Sequence, residues 1–183
     1  MPVDVVNFIV SDRNPYNALL YGGADRRYRL RPGTIDDALA GIESGGSNLF
    51  HLHWEERMLV ERPERDAAAA AMAAFGQRLD AFLARGGRLV WTIHNALPHE
   101  PRHLDLFVTL RRRLAERAAL ILVHHEAAAE TLAGQCALDR SKLSLLPHPA
   151  YFGAYEAEDE TRALEPDWQS RRLMTFCMLR PYK

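Results

Sequence analysis

Apolar residues in this chain follow two rhythms, and each rhythm predicts an element. Residues 4–10, Asp4-Val5-Val6-Asn7-Phe8-Ile9-Val10, are apolar and β-branched and stop at Ser11-Asp12, which is the pattern of a first strand. Asn14-Pro15-Tyr16-Asn17 breaks it, and residues 18–21 start a helix that Gly22-Gly23 ends. A second strand is predicted over 27–30. Thr34 then stands as a helix N-cap, with Asp36 and Asp37 in the first turn, where free backbone amides favour negative charge; the helix closes near Gly45-Gly46. The third strand, 48–54, alternates histidine with apolar residues in Phe50-His51-Leu52-His53. After Pro63 the period changes to that of a helix, with Met72, Phe75, Leu79, Phe82 and Leu83 on one face and Gly86-Gly87 closing it.

Residues 89–93, Leu-Val-Trp-Thr-Ile, lie between that glycine pair and Asn95 and read as a fully buried fourth strand. A helix over 104–119 carries Leu106, Leu110 and Leu114 on one stripe with arginines opposite. A fifth strand over 120–125, a helix over 126–132 and a sixth strand over 142–146 follow, ended by Pro147-His148-Pro149. Strands that alternate with helices in this way predict an α/β fold, a Rossmann-like parallel sheet with helices on both faces. The expected first domain covers 1–155. An acidic linker is expected over 156–172, and Leu173 to Leu179 open what reads as the first strand of a second, incomplete domain over 173–183.

Length and composition agree with a globular unit of this kind. The chain has 183 residues, of which 48% are hydrophobic, enough for a substantial core. A net charge of −1 gives no global field for nucleic acid, so anion binding has to be local; Arg26, Arg27, Arg29 and Arg31 form one basic cluster, and Arg111, Arg112, Arg113 and Arg117 another. Cys136 and Cys177 lack metal-ligand spacing, no leader sequence is evident, and no apolar run approaches the ~20 residues that span a bilayer. The expected location is the cytoplasm, with any membrane contact peripheral.

In an open parallel sheet the ligand crevice lies beyond the carboxyl ends of the strands. His94 and Asn95 fall there, at the end of the fourth strand, with Pro98-His99-Glu100 close behind. Gly22 and Gly23, in the first strand-to-helix connection, would let backbone approach a ligand closely, since no Cβ intervenes.

Taken together, Thr92-Ile93-His94-Asn95 at the end of the fourth strand and Pro147-His148-Pro149-Ala150-Tyr151 at the end of the sixth resemble the N-terminal half of GT-B glycosyltransferases of the family 4 type. Phe176-Cys177-Met178-Leu179-Arg180-Pro181-Tyr182-Lys183 is similar to the first strand of their donor domain, F-G-x-[IL]-R-x-Y-K-G. Strings similar to T-x-H-N-x-x-P-H-E and P-H-P-x-Y occur together in a subgroup that builds bacterial exopolysaccharides. The resemblance implies a retaining transfer from a nucleotide sugar to a glycan or lipid-linked acceptor, with no metal or other cofactor. By the same resemblance His94 faces the donor sugar, in a positioning and electrostatic role. Arg180 and Lys183 would hold the donor diphosphate. Asn95, His99 and Glu100 would line the acceptor loop, and Asn14, Tyr16, Asn17 and Tyr21, after the first strand, would help to select the acceptor. Cys177 departs from the family's glycine, and the acidic E-x7-E motif of the donor domain has no counterpart, so a missing C-terminal donor domain and little activity by the chain alone are implied.

Two rival readings remain at this point. His51 and His53 resemble paired strand-end ligands of metal-dependent hydrolases, with His94, His124, Asp105 and Glu100 to complete a site. Alternatively the chain is a non-catalytic carbohydrate- or partner-binding module whose last strand pairs with a separate polypeptide.

Overall fold

The computed structural model describes residues 2–8, 14–23, 27–46, 48–95, 97–98, 102–136, 138–151, 153–155, 157 and 160. Of the sequence-based expectations, the loop residues His99 and Glu100, most of the linker, the terminal strand, and Arg180 and Lys183 lie outside the described residues. The chain forms two units, Met1–Pro149 and Ala150–Lys183. In the second, a turn closes with the Ala154 amide donating to the Tyr151 carbonyl at 3.1 Å, and the Tyr151 and Tyr155 rings meet edge to face.

The first unit is built on six parallel strands in the order β2-β1-β3-β4-β5-β6: β1 (Val3–Asn7), β2 (Tyr28–Pro32), β3 (Leu49–His53), β4 (Arg88–Ile93), β5 (Ala118–Val123) and β6 (Leu143–Leu145). Between them run α1 (Tyr16–Tyr21), α2 (Ile35–Glu43), α3 (Arg57–Val60), α4 (Arg65–Ala84), α5 (Leu104–Arg117) and α6 (Glu126–Gln135). This is the α/β, Rossmann-like architecture that the alternating pattern predicts. From β1 the chain steps one way to β2 and then crosses back to β3, which makes the β1/β3 boundary the topological switch point. Helices α2, α4, α5 and α6 neighbour one another in chain order, as they do when right-handed crossovers carry them over one face; the same rule assigns the α1 connection, which steps the other way, to the opposite face.

Local chemistry explains the elements. Thr34 caps α2 in a full capping box: its hydroxyl accepts from the Asp37 amide, and the Asp37 carboxylate accepts from the Thr34 amide. That contact holds the Asp37 carboxyl below its usual range. Gly86, at φ +86°, turns the chain from α4 into β4, and Gly87 beside it leaves room for the Phe82 ring; an added Cβ would lie 2.5 Å from that ring.

The side chains of neighbouring strand residues point to opposite faces, and here the two faces differ in kind. Val6, Phe50, Leu52, Leu89, Trp91 and Ile93 join Met72, Leu79 and Phe82 of α4 and Leu110 and Leu114 of α5 in one buried core. On the other face, Asn7, His51, His53 and Thr92 are also buried. The sheet therefore has an apolar face toward its helices and a buried polar face at its carboxyl end.

Several boundaries differ from expectation. The four-residue helix α3 has too few positions to show a period. Strand β5 starts at Ala118 because α5 passes directly into it. Helix α6 continues to Gln135, and β6 is an edge strand of three residues. Among the described residues no helix is long and apolar enough to cross a membrane.

Candidate functional site

Strand register assembles the polar face. Asn7 pairs with His51 across β1 and β3, and His53 pairs with Thr92 across β3 and β4, so residues from the carboxyl ends of three adjacent strands stand side by side next to the switch point. His94 follows one residue beyond β4 on the same side as Thr92. Tyr16, fully buried, sits over this row. Its ring is 4.7 Å from His94, 5.3 Å from His124 and from His148, 5.7 Å from His53 and 6.0 Å from Trp54, centroid to centroid. The indole of Trp54 stacks on the imidazole of His94 at 4.0 Å with 11° between planes. Trp54 has φ +49°, a left-handed backbone that bulky side chains rarely adopt.

Two hydrogen-bond chains run through the cluster. In one, Tyr21 Oη meets His51 Nδ1, and His51 Nε2 meets Thr92 Oγ1 at 2.7 Å. Burial pushes the Tyr21 phenol far above its usual range, which keeps its proton in place. In the other, Asn7 Nδ2 donates to Asn17 Oδ1 (3.2 Å), Asn7 Oδ1 meets His53 Nε2 (3.0 Å), and His53 Nδ1 meets His94 Nε2 (3.0 Å).

The electrostatics are those of neutral imidazoles. Burial, reinforced by the neighbouring rings, pushes His51 down to about 3, and His53 and His94 to about 2. His124 is lowered in the same direction by burial, against a hydrogen bond from its Nδ1 to the Leu146 carbonyl at 2.7 Å. Near neutral pH His51, His53 and His94 are therefore uncharged.

A buried ion pair fixes the loop that follows β4. Glu55 and Arg111 are each 1% exposed; Arg111 Nε donates to Glu55 Oε1 at 2.9 Å, and Trp91 Nε1 donates to Glu55 Oε2 at 3.2 Å. Burial pushes the Glu55 carboxyl up while the guanidinium pulls it down. Arg111 also donates to the Asn95 carbonyl and to Gln135 Oε1, and its guanidinium lies 4.2 Å from the Phe107 ring centre. The sequence reading that sets Arg111 with the arginines opposite the apolar stripe is therefore corrected: this arginine points inward because a buried carboxylate awaits it, whereas Arg112 and Arg113 are exposed.

The expected site residues separate into groups. His94, Tyr16, Asn17 and Tyr21 meet in the cluster. Asn14 shapes the approach to α1, its Oδ1 accepting from the Tyr16 amide at 3.0 Å. Asn95 is a loop anchor, its Nδ2 donating to Glu56 Oε1 at 2.9 Å. Gly22 and Gly23 make an exposed turn after α1; at Gly22 a Cβ would meet the Ala18 carbonyl oxygen at 2.9 Å, so helix geometry accounts for this glycine. Of the expected hydrolase ligands, His51, His53, His94 and His124 gather in the cluster, whereas Asp105 lies apart from it and Glu100 is outside the described residues. Both ring nitrogens of His51 and of His53 are engaged in the chains above, Asp105 pairs with Arg65 at the surface, and among the described residues no three such side chains are grouped to hold a metal ion. Sequence reasoning did not single out Trp54, Asn7 or His148 for the site. The signal that could have found their setting is His51-Leu52-His53, whose spacing puts two imidazoles on one face of a buried strand.

Set against protein-family models, curated proteins and solved structures, the chain matches none of them.

Proposed function

We propose that this chain is the acceptor-side domain of a GT-B-type retaining glycosyltransferase, which transfers a sugar from a nucleotide sugar to a glycan or lipid-linked acceptor. The observation that carries the reading is His94, a half-buried neutral imidazole at the carboxyl mouth of the sheet, stacked on Trp54 beside the β1/β3 switch point. Sugar transfer of this type develops positive charge at the anomeric carbon. A neutral imidazole lone pair lies comfortably against that charge or takes a sugar hydroxyl, whereas an imidazolium would repel it. Aromatic walls suit the apolar faces of sugar rings, and amide and phenol groups suit their hydroxyls. Arg180 and Lys183 would supply cations to the leaving diphosphate, and a donor domain would close the cleft over it. Peripheral contact with an anionic membrane surface would bring lipid-linked acceptors to the same mouth.

The test is nucleotide release from a panel of nucleotide sugars, with oligosaccharides or membrane lipid extract as acceptors, by the polypeptide as the cell makes it. Turnover is expected, and His94→Ala should lower kcat by about 100-fold with a smaller change in KM, the behaviour of a group that acts mainly in the transition state. Failure to turn over any nucleotide sugar, or full activity of His94→Ala, removes the reading.

A further inference from the structure

We propose that Asn17, Asn7 and His53 form a relay that fixes His94 in one tautomer, so that the cluster presents acceptor nitrogens to a ligand and takes a hydroxyl-bearing molecule rather than an anion. The argument is a count of protons along the chain. Asn7 Nδ2 donates to Asn17 Oδ1 at 3.2 Å, so the group Asn7 turns toward His53 Nε2 is its carbonyl oxygen, an acceptor, at 3.0 Å. A neutral His53 has one ring proton, and it is used there. Its Nδ1 is left to accept, which makes His94 Nε2 the donor across the 3.0 Å contact. The single proton of His94 thus points inward, and its Nδ1 carries a lone pair.

His124 reaches the same polarity by a separate route. Its Nδ1 donates to the Leu146 carbonyl at 2.7 Å, which leaves Nε2 as a lone pair, buried and without a hydrogen-bond partner among the described residues. The His94 and His124 rings are 5.4 Å apart and both meet Tyr16 edge-on. A carboxylate or phosphate dianion brings only acceptors and would face two lone pairs; a sugar brings hydroxyl donors. His53 acts through His94 and is a positioning residue. The choice of a hydroxyl-bearing ligand rests on the transferase reading, whereas the tautomer does not.

Long-range proton–nitrogen correlation spectra of nitrogen-15-labelled protein at pH 7 read each histidine's tautomer directly. The expected result is a protonated, pyrrole-type nitrogen at Nε2 of His53 and His94 and at Nδ1 of His124. In His53→Phe, which keeps a ring but removes the acceptor, His94 should lose its single-tautomer pattern while His124 keeps its own. A protonated Nδ1 on wild-type His94, as both amides turned end for end would give, overturns the relay, and so does an unchanged His94 in His53→Phe. The wild-type spectrum decides alone if that variant does not fold. Titration with methyl glycosides should then shift the His94 and His124 nitrogens, and inorganic phosphate at equal concentration should not. A response to phosphate alone, or to neither, overturns the ligand class and leaves the relay standing; the transferase reading is judged separately, by nucleotide release.

Discussion

Mild acid should destabilise this protein, because its buried imidazoles stay neutral in the folded chain. An unfolded histidine titrates near 6.5, whereas His51, His53 and His94 are held down to about 3, 2 and 2. Their folded values lie below the unfolded one, so their contribution is fully present above about pH 6.5 and is lost as pH falls toward the folded values. Between pH 7.5 and 5.5 the unfolded chain takes up nearly one proton at each of the three positions and the native chain takes up almost none. Each histidine then contributes about 1.4 kcal/mol of lost stability over that interval, about 4 kcal/mol for the three, out of a total that for most domains is roughly 5–15 kcal/mol. His124 acts in the same direction. Asp37, Asp80 and Asp139 have lowered values, so their contributions are intact throughout this interval and fade only in stronger acid. Glu55, raised by burial, works in the opposite sense, and the histidines have to outweigh it. Urea unfolding followed by circular dichroism at the two pH values is the assay; with a slope of about 2 kcal/mol per molar, the midpoint should fall by about 2 M. An unchanged midpoint, or ring protons of these three histidines that titrate near 6.5 in the folded protein, would refute the reasoning.

Arg111→Met should cost about 3–5 kcal/mol, since it strands the Glu55 carboxylate in the core, and adding Glu55→Gln should recover a good part of this; equal urea midpoints for the single and double variants would show that the buried charge is not the cause. Thr34→Ala removes the capping hydroxyl of α2 and should cost about 1 kcal/mol, seen as a fall in Tm of roughly 2–4 °C. Gly87→Ala should cost about 1–3 kcal/mol, because the new methyl group meets the Phe82 ring; an unchanged Tm would mean that the ring has somewhere else to go.

The fold was legible because the longer helices announced an inner face, and α2 and α4 their ends as well. Thr34 with Asp37 marked the start of α2, Met72, Leu79 and Phe82 marked the buried face of α4, and Gly86-Gly87 marked its end. The position of His94 at the mouth of the sheet followed from the run before it. What could not be read was pairing at long range. Arg111 and Glu55 are 56 residues apart, and each alone looks like a surface charge; only the fold brings them together. Tyr16 gave no sign that it would sit among histidines from four different parts of the chain, since local period does not report which strand ends become neighbours. His51 and His53 drew attention as possible metal ligands, yet in the fold their nitrogens are taken up by Tyr21, Thr92, Asn7 and His94.

The left-handed backbone at Trp54 bears on how this protein would evolve in the laboratory. Such a conformation costs an indole-bearing residue about 1–2 kcal/mol that glycine or asparagine would largely escape. A library screened for heat resistance alone should therefore enrich glycine or asparagine at position 54, whereas one screened for turnover should keep tryptophan, and the contrast between the two populations would measure what the ring is worth to the organism.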